Sequence, residues 1–369
     1  MTTMAGYMER ALALARQAEG RTRPNPAVGA VIVAAGQIVG EGFHPAAGQP
    51  HAEIFALRQA GEQATGADLY VTLEPCSHQG RTGPCADAII AAGIARVFVG
   101  TLDPNPQVAG RGIERLRQAG IAVQVGVNEA DCRRLIAPFA KHITSGLPLV
   151  TLKTAVTLDG KTATVSGDSR WISGEASRLQ VHRLRDKVDA IMVGSGTLLR
   201  DDPQLTTRLP EGGRNPLRVI IDSQLRIPLS AKVLQDLNSA PTLIATSSRG
   251  DAGKGEDLRR LGAELLVLDG AEGRVDLAAL LQQLGQRGVQ HLLLEGGSGL
   301  NQAMLEAGLI DRLMLFIAPK IVGGGDGFGI FAGCGVTRLA DALQLTDLRY
   351  SRFDDDILIE GEVVPCSPA

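Results

Sequence analysis

The sequence predicts an α/β protein built as two layered domains. Three observations carry that reading: the length, an alternation of strand-like and helix-like segments in both halves, and a break near residue 146. At roughly 150 residues per domain, the 369 residues suit two domains, each able to bury a full core. Hydrophobic residues make up 44% and charged residues 21%, close to globular averages, which excludes disordered and fibrous classes. The 45 glycines and 18 prolines show no collagen-like period and indicate many tight turns.

In the first half, Thr3 to Glu19 reads as an amphipathic helix, Ala27 to Ala35 as a buried strand and His51 to Gln59 as a helix. Asp68 to Leu73 follows as a strand, Cys85 to Ala92 as a helix and Arg96 to Gly100 as a strand. A helix at Gly112 to Gln118, a strand at Ile121 to Val127 and a helical stretch from Asn128 to His142 complete it. Gly146 and Pro148 then break the helix before a strand at Leu149, so the domains are placed at 1–146 and 147–369. Strands of the second half are expected at Leu149 to Thr154, Asp189 to Val193, Leu217 to Asp222 and Thr242 to Thr246. Leu265 to Leu268, His291 to Leu294, Arg312 to Ala318 and Asp356 to Val364 close the series. Helical patterns between many of them imply a mostly parallel sheet with crossover helices.

The 37 basic and 40 acidic residues leave a net charge of −3. That balance argues against nucleic acid or an anionic membrane as partner, because such binding needs clustered Lys and Arg. The longest apolar run, Ala27 to Gly36, is about half of what a membrane span needs. Glu9, Arg10, Arg16 and Glu19 interrupt the N-terminal apolar stretch, which is wrong for a secretory signal, so cytoplasmic residence is expected. Five cysteines are too few for a disulfide framework, and the pair Cys76 and Cys85 is better read as metal-binding. Cys132, Cys334 and Cys366 belong to no motif and read as structural.

His51-Ala52-Glu53, then Pro75-Cys76, then Cys85 match the zinc-deaminase signature H-x-E…P-C…C, with eight residues between the cysteines where the usual pattern has two. One imidazole and two thiolates supply three zinc ligands and leave the fourth position to water. Glu53 is then the proton shuttle that hydrolytic deamination requires. A closed structural site completed by His78 is the alternative, but such sites favour short cysteine spacings and give Glu53 no role.

In the second half no stretch fits G-x-G-x-x-G. The strand His291 to Leu294 leads instead through Glu295 and Gly296-Gly297-Ser298-Gly299 into a helix expected from Leu300, leaving backbone amides to hold a phosphate.

The segments HPAAGQPHAE, EPCSHQGRTGPC and GTLDPNPQVAGRG stand in that order between His44 and Gly112, after Arg23-Pro24-Asn25-Pro26. Together they resemble the deaminase half of the bifunctional deaminase and reductase family of riboflavin biosynthesis. Lys153 to Lys161, Ser169 to Ser173 and Gly194 to Arg208 are similar to its reductase half, so the resemblance covers nearly the whole chain. It implies a cytidine-deaminase-like α/β/α layered domain followed by a dihydrofolate-reductase-like α/β domain, with Zn2+ and NADPH as cofactors. The implied substrate is a diaminopyrimidinone ribosyl phosphate, which loses its exocyclic amine on ring carbon 2 and then has its ribosyl group reduced to ribityl.

Carried over by motif, Asn25 and His44 line the pyrimidine pocket. Ala155, Trp171, Thr197, Asp201, Ser223, Gly297, Ser298 and Gly299 hold the cofactor. Ser169, Arg185, Leu205, Arg208 and Glu295 hold the sugar phosphate, with Lys153 assisting. The family often has Pro where Gly83 stands and Asn where Ala137 stands. Small-molecule partners and a homo-oligomer are expected. A zinc deaminase of another nucleoside or of an RNA base, fused to a dinucleotide-binding domain, is the rival enzyme; the 3% aromatic content speaks against RNA. A zinc-stabilised dinucleotide sensor is the non-enzyme alternative.

Overall fold

The computed structural model describes residues 3–77, 83–106, 108–325 and 327–364. The chain divides into two compact units, Met1–Gly146 and Leu147–Ala369.

In the first unit the elements run α1 (Met4–Ala15), β1 (Gly29–Ala34), β2 (Gln37–Phe43), α2 (Ala52–Ala60), β3 (Asp68–Leu73) and α3 (Cys85–Ala91). After these come β4 (Arg96–Thr101), α4 (Arg111–Gln118), β5 (Ala122–Val125), α5 (Glu129–Leu135) and α6 (Ala137–Ser145). The sheet order is β2-β1-β3-β4-β5; β1 is antiparallel to both neighbours, and β3, β4 and β5 are parallel. The period-two alternation of strand side chains explains the layering. Ile32, Leu69, Val71, Val97 and Val99 pack with Ala52, Ala56 and Ile89 on one face. Val31, Val33, Tyr70 and Phe98 pack with Met8, Leu12 and Cys132 on the other. A helix layer therefore covers each side, the α/β/α arrangement expected.

Two elements differ from the sequence reading. β2 was not expected, because glycines at 40 and 42 break its apolar pattern; a Cβ at Gly42 would overlap the Ala52 carbonyl, so α2 can lie on the strand only because none is there. The single helix expected from Asn128 to His142 is two helices, broken at Ile136 where Pro138 enters the first turn of α6.

The second unit comprises β6 (Leu149–Thr157), α7 (Glu175–Lys187), β7 (Ala190–Gly194), α8 (Ser195–Asp201), β8 (Leu217–Ile221), β9 (Thr242–Thr246) and α9 (Ala252–Arg260). It continues with β10 (Glu264–Val267), α10 (Leu277–Gln286), β11 (His291–Leu294), α11 (Ser298–Glu306), β12 (Arg312–Ala318), β13 (Leu345–Phe353) and β14 (Asp356–Val363). Its nine strands run β10-β9-β8-β7-β11-β6-β12-β14-β13. The seven from β10 to β12 are parallel, and β14 and β13 add an antiparallel edge. Both faces are buried, one around Leu152, Met192 and Leu294, the other around Ile191, Ile220 and Ile244, which is why these strands read as unbroken apolar runs. β13 was missed because its side chains are largely exposed and mixed with charge. No helix among the described residues is long and apolar enough to cross a membrane.

Candidate active sites

In the first unit, β3 is followed directly by Glu74-Pro75-Cys76, α2 starts just after His51, and Cys85 is the first residue of α3. Two helix N-termini and one strand end thus bring together residues far apart in sequence. The His51 Nδ1, Cys76 Sγ and Cys85 Sγ atoms all lie within 4.8 Å of one another. Cys85 Sγ is 3.3 Å and Cys76 Sγ 3.6 Å from His51 Nδ1, and the Cys85 amide donates to Cys76 Sγ. Glu53 stands in the first turn of α2, buried, with Oε2 lacking any hydrogen-bond partner.

The electrostatics follow from this crowding. Burial pushes the Glu53 carboxyl up to about 7, with the Cys76 charge adding to the effect. Cys76 is drawn down to about 4, first by the hydrogen bond from Cys85 and then by His51, against the opposing effect of burial. Cys85, the donor in that pair, moves upward. One nitrogen and two sulfurs beside a buried, unpaired carboxylate oxygen form the donor set of a catalytic zinc site, and the three residues fit that ion. His78, the alternative fourth ligand, lies outside the described residues, as does Cys366. Cys132 is buried and Cys334 is exposed.

Asn25 and His44 stand beside this group. Asn25 Nδ2 and His44 Nε2 are 3.0 Å apart, His44 Nδ1 is 3.0 Å from the Pro50 carbonyl, and the His44 and His51 rings meet edge to face at 5.2 Å. His44 is buried, so it is not an exposed loop histidine. Sequence reading missed Glu74, whose buried carboxylate accepts from the amides of Asp103, Gly110, Gly112 and Ile113. It ties the loop before α4 to the Cys76 strand end, a role with no signal in spacing because its partners are backbone groups nearly 30 residues or more away.

In the second unit a cavity of about 980 Å³ opens at the carboxyl ends of the parallel strands, where open α/β sheets place their ligands. Its wall contains Ala155, Thr197, Asp201, Ser223, Gly297, Ser298 and Gly299 of the expected cofactor residues, and Ser169, Arg185, Leu205 and Glu295 of the expected substrate residues. Trp171 and Arg208 do not line it. Trp171 is 62% exposed and carries the Arg178 guanidinium 4.6 Å from its ring centre. The Arg208 side chain donates through Nη1 to Thr206 Oγ1 and Gln204 Oε1, at 3.4 and 3.5 Å.

Arg185 donates to Glu295 through Nε (3.1 Å) and Nη2 (2.8 Å) and to the Thr206 carbonyl through Nη1. The Lys153 ammonium lies 3.9 Å from Glu295. Burial would raise the Glu295 carboxyl, but the Arg185 and Lys153 charges and the Arg185 hydrogen bonds outweigh it and hold it near 2. Burial lowers Lys153 while Glu295 opposes that shift. The helix after the glycine turn begins at Ser298, two residues earlier than expected, so Ser298 and Gly299 form its first turn. Neither α8 nor α11 has a side-chain cap, and both open toward the cavity, a fit for a dinucleotide's pyrophosphate.

Taken with their folds, the two sites define a class: a zinc-binding deaminase unit joined in one chain to a reductase unit. Residues 1–101 match the family model of the cytidine and deoxycytidylate deaminase zinc-binding region, and residues 148–359 match the RibD C-terminal domain. The chain is 46% identical over 353 residues to the riboflavin biosynthesis protein RibD of Aquifex aeolicus, covering 96% of each. It is 45% identical to that of Escherichia coli, covering 96% of this chain and 97% of the relative. The solved RibD of Acinetobacter baumannii superposes with a TM-score of 0.83 at 40% identity, covering 98% of each chain. A diaminohydroxyphosphoribosylaminopyrimidine deaminase/5-amino-6-(5-phosphoribosylamino)uracil reductase from Thermotoga maritima gives 0.82 at 38%, with the same coverage. The chain belongs to the RibD family of riboflavin biosynthesis proteins.

Proposed function

We propose that this chain carries out two consecutive steps: hydrolytic deamination of a diaminopyrimidinone ribosyl phosphate, then NADPH-dependent reduction of its ribosyl group to ribityl. The observation that carries the first step is Glu53, buried and with its Oε2 unpaired beside the His51, Cys76 and Cys85 donors. Those three residues would hold zinc, which when bound supplies the Lewis acidity that makes water nucleophilic near neutral pH. Glu53, balanced near neutrality, takes a proton from the attacking water and returns one to the exocyclic amine. A C–O bond forms at ring carbon 2, the C–N bond breaks, and ammonia leaves. Asn25 and His44 orient the ring.

In the second unit NADPH, when bound, supplies a hydride. Ala155, Thr197, Asp201, Ser223 and the Gly297 to Gly299 turn would hold it. Glu295, kept ionised by Arg185 and Lys153, accepts from sugar hydroxyls, and Ser169 and Leu205 complete the phosphate end. In the open-chain imine form of the substrate, the former anomeric carbon gains hydride and the imine nitrogen gains a proton. Supplying the diaminopyrimidinone substrate and following ammonia release together with NADPH absorbance tests both halves: ammonia without oxidation removes the reductase half, and neither signal removes the whole reading.

A homo-oligomer is part of this proposal, and β14 supports it. Leu358 faces inward with Met314 and Phe316. Ile357 and Ile359, on the opposite face of the strand, align with Ile317 and Leu315 on β12, and Ile359 aligns with Tyr350 on β13. A strand with water on one side would alternate with polar residues; this one carries a second apolar face that a second copy would cover. Light scattering of Ile357→Lys should report dissociation, and an unchanged mass would remove this surface.

A further inference from the structure

We propose that Arg226 and Arg249 read the 2′-phosphate that distinguishes NADPH from NADH, and so set the cofactor specificity of the reductase unit; the inference rests on the reductase reading above. The cavity has three stations along the sheet edge. Lys153 and Glu295 mark the reacting end at β6 and β11. The glycine turn and the uncapped N-terminus of α11 stand after β11. Beyond them the turns after β8, β9 and β10 bring Arg226, Arg249 and Arg274 to the same wall. With strands about 4.8 Å apart, β9 lies roughly 15 Å from β11 in this order, the separation of a dinucleotide's two ends.

The charges at this far end are unbalanced. Asp222 is sealed from solvent, and its Oδ2 accepts from the Ile227 amide while Oδ1 lies 3.8 Å from Arg226 Nε. It therefore offers no exposed acceptor for a ribose 2′-hydroxyl, the device by which an NAD site recognises its ligand. Glu272 pairs with Arg274 at 3.3 Å. Arg226 Nη2 donates to Ser195 Oγ at 2.6 Å, tying it to the start of α8. Arg249 has no side-chain hydrogen bond or carboxylate partner among the described residues. Its guanidinium lies close against Gly273, where φ is +68° and where a Cβ would overlap Nε. The Ser247 hydroxyl stands between two turns, within donating distance of the Ser223 carbonyl at 2.8 Å and the Gly273 carbonyl at 3.0 Å. A guanidinium with unspent donors, beside a floor of tied turns, fits a phosphate dianion.

Titration of the full chain with NADPH, NADH, 2′,5′-ADP and 5′-AMP tests this by affinity, without turnover. The native protein should bind NADPH over NADH, and 2′,5′-ADP over 5′-AMP, by about tenfold or more. Arg249→Ala and Arg226→Ala should each weaken NADPH about tenfold while NADH stays within about twofold, and Arg249→Lys should recover part of the loss. Retained NADH binding also reports that a variant is folded. Equal weakening of NADPH and NADH, or no preference in the native protein for either 2′-phosphorylated ligand, overturns the assignment while leaving the reductase reading in place. Failure of the native protein to bind either dinucleotide overturns both.

Discussion

Burial in the first turn of α2 pushes the Glu53 carboxyl up to about 7, which suits the proposed role as both base and acid in one cycle. Glu53→Gln keeps the size and removes the titration. Ammonia release should fall about 10²- to 10⁴-fold, while elemental analysis still finds zinc and the reduction step stays at the native rate. Loss of metal together with activity would place Glu53 in the ligand set instead. In the second unit the Arg185 and Glu295 pair is nearly buried, and removing Arg185 leaves Glu295 with only the more distant Lys153 as a cationic partner, without the Arg185 hydrogen bonds. Arg185→Ala should cost about 3 to 5 kcal/mol in chemical denaturation, and adding Glu295→Gln should restore part of that stability while reduction remains lost. Sequence alone could name both residues, yet it could not join them, because 110 residues separate their positions.

At the level of elements, the strand ends place the chemistry. β11 carries Glu295 out of its carboxyl end and, with β6, presents Lys153 beside it. The same strand begins with His291, whose Nε2 lies 2.9 Å from Thr151 Oγ1 across the β11–β6 pairing. Burial first, then the charges of Arg312 and Lys187, hold its imidazole down to about 3. An unfolded chain titrates this group near 6.5, so between pH 6.5 and 3 the unfolded state binds a proton that the native state refuses. Stability should therefore fall as pH drops through that window, by roughly 1 kcal/mol per pH unit from this group. Denaturation curves at several pH values should show the slope, and His291→Gln should flatten it; an identical slope in the variant would assign the effect to other groups.

Over the whole molecule, the zinc donors all belong to Met1–Gly146 and the dinucleotide cavity to Leu147–Ala369. Chelation should therefore abolish ammonia release while NADPH oxidation continues on substrate already deaminated, and added zinc should restore the first step. Parallel loss of both activities on chelation would contradict this separation of metal and hydride chemistry.

Local and periodic features were legible from residue order. Apolar runs marked the parallel strands, Gly146 and Pro148 marked the break, and the short motif around His51, Glu53, Cys76 and Cys85 named a zinc deaminase, because a metal's donor set and its proton shuttle must be chemically specific residue types. What only the tertiary structure decided depends on distance through space. β2 and β13 exist because of the neighbours they pair with, and Glu74 acts on amides that the fold brings back to it. Arg226 and Arg249 become a pair through the adjacency of β8 and β9, since two arginines 23 positions apart carry no mutual signal until parallel strands lay their turns side by side.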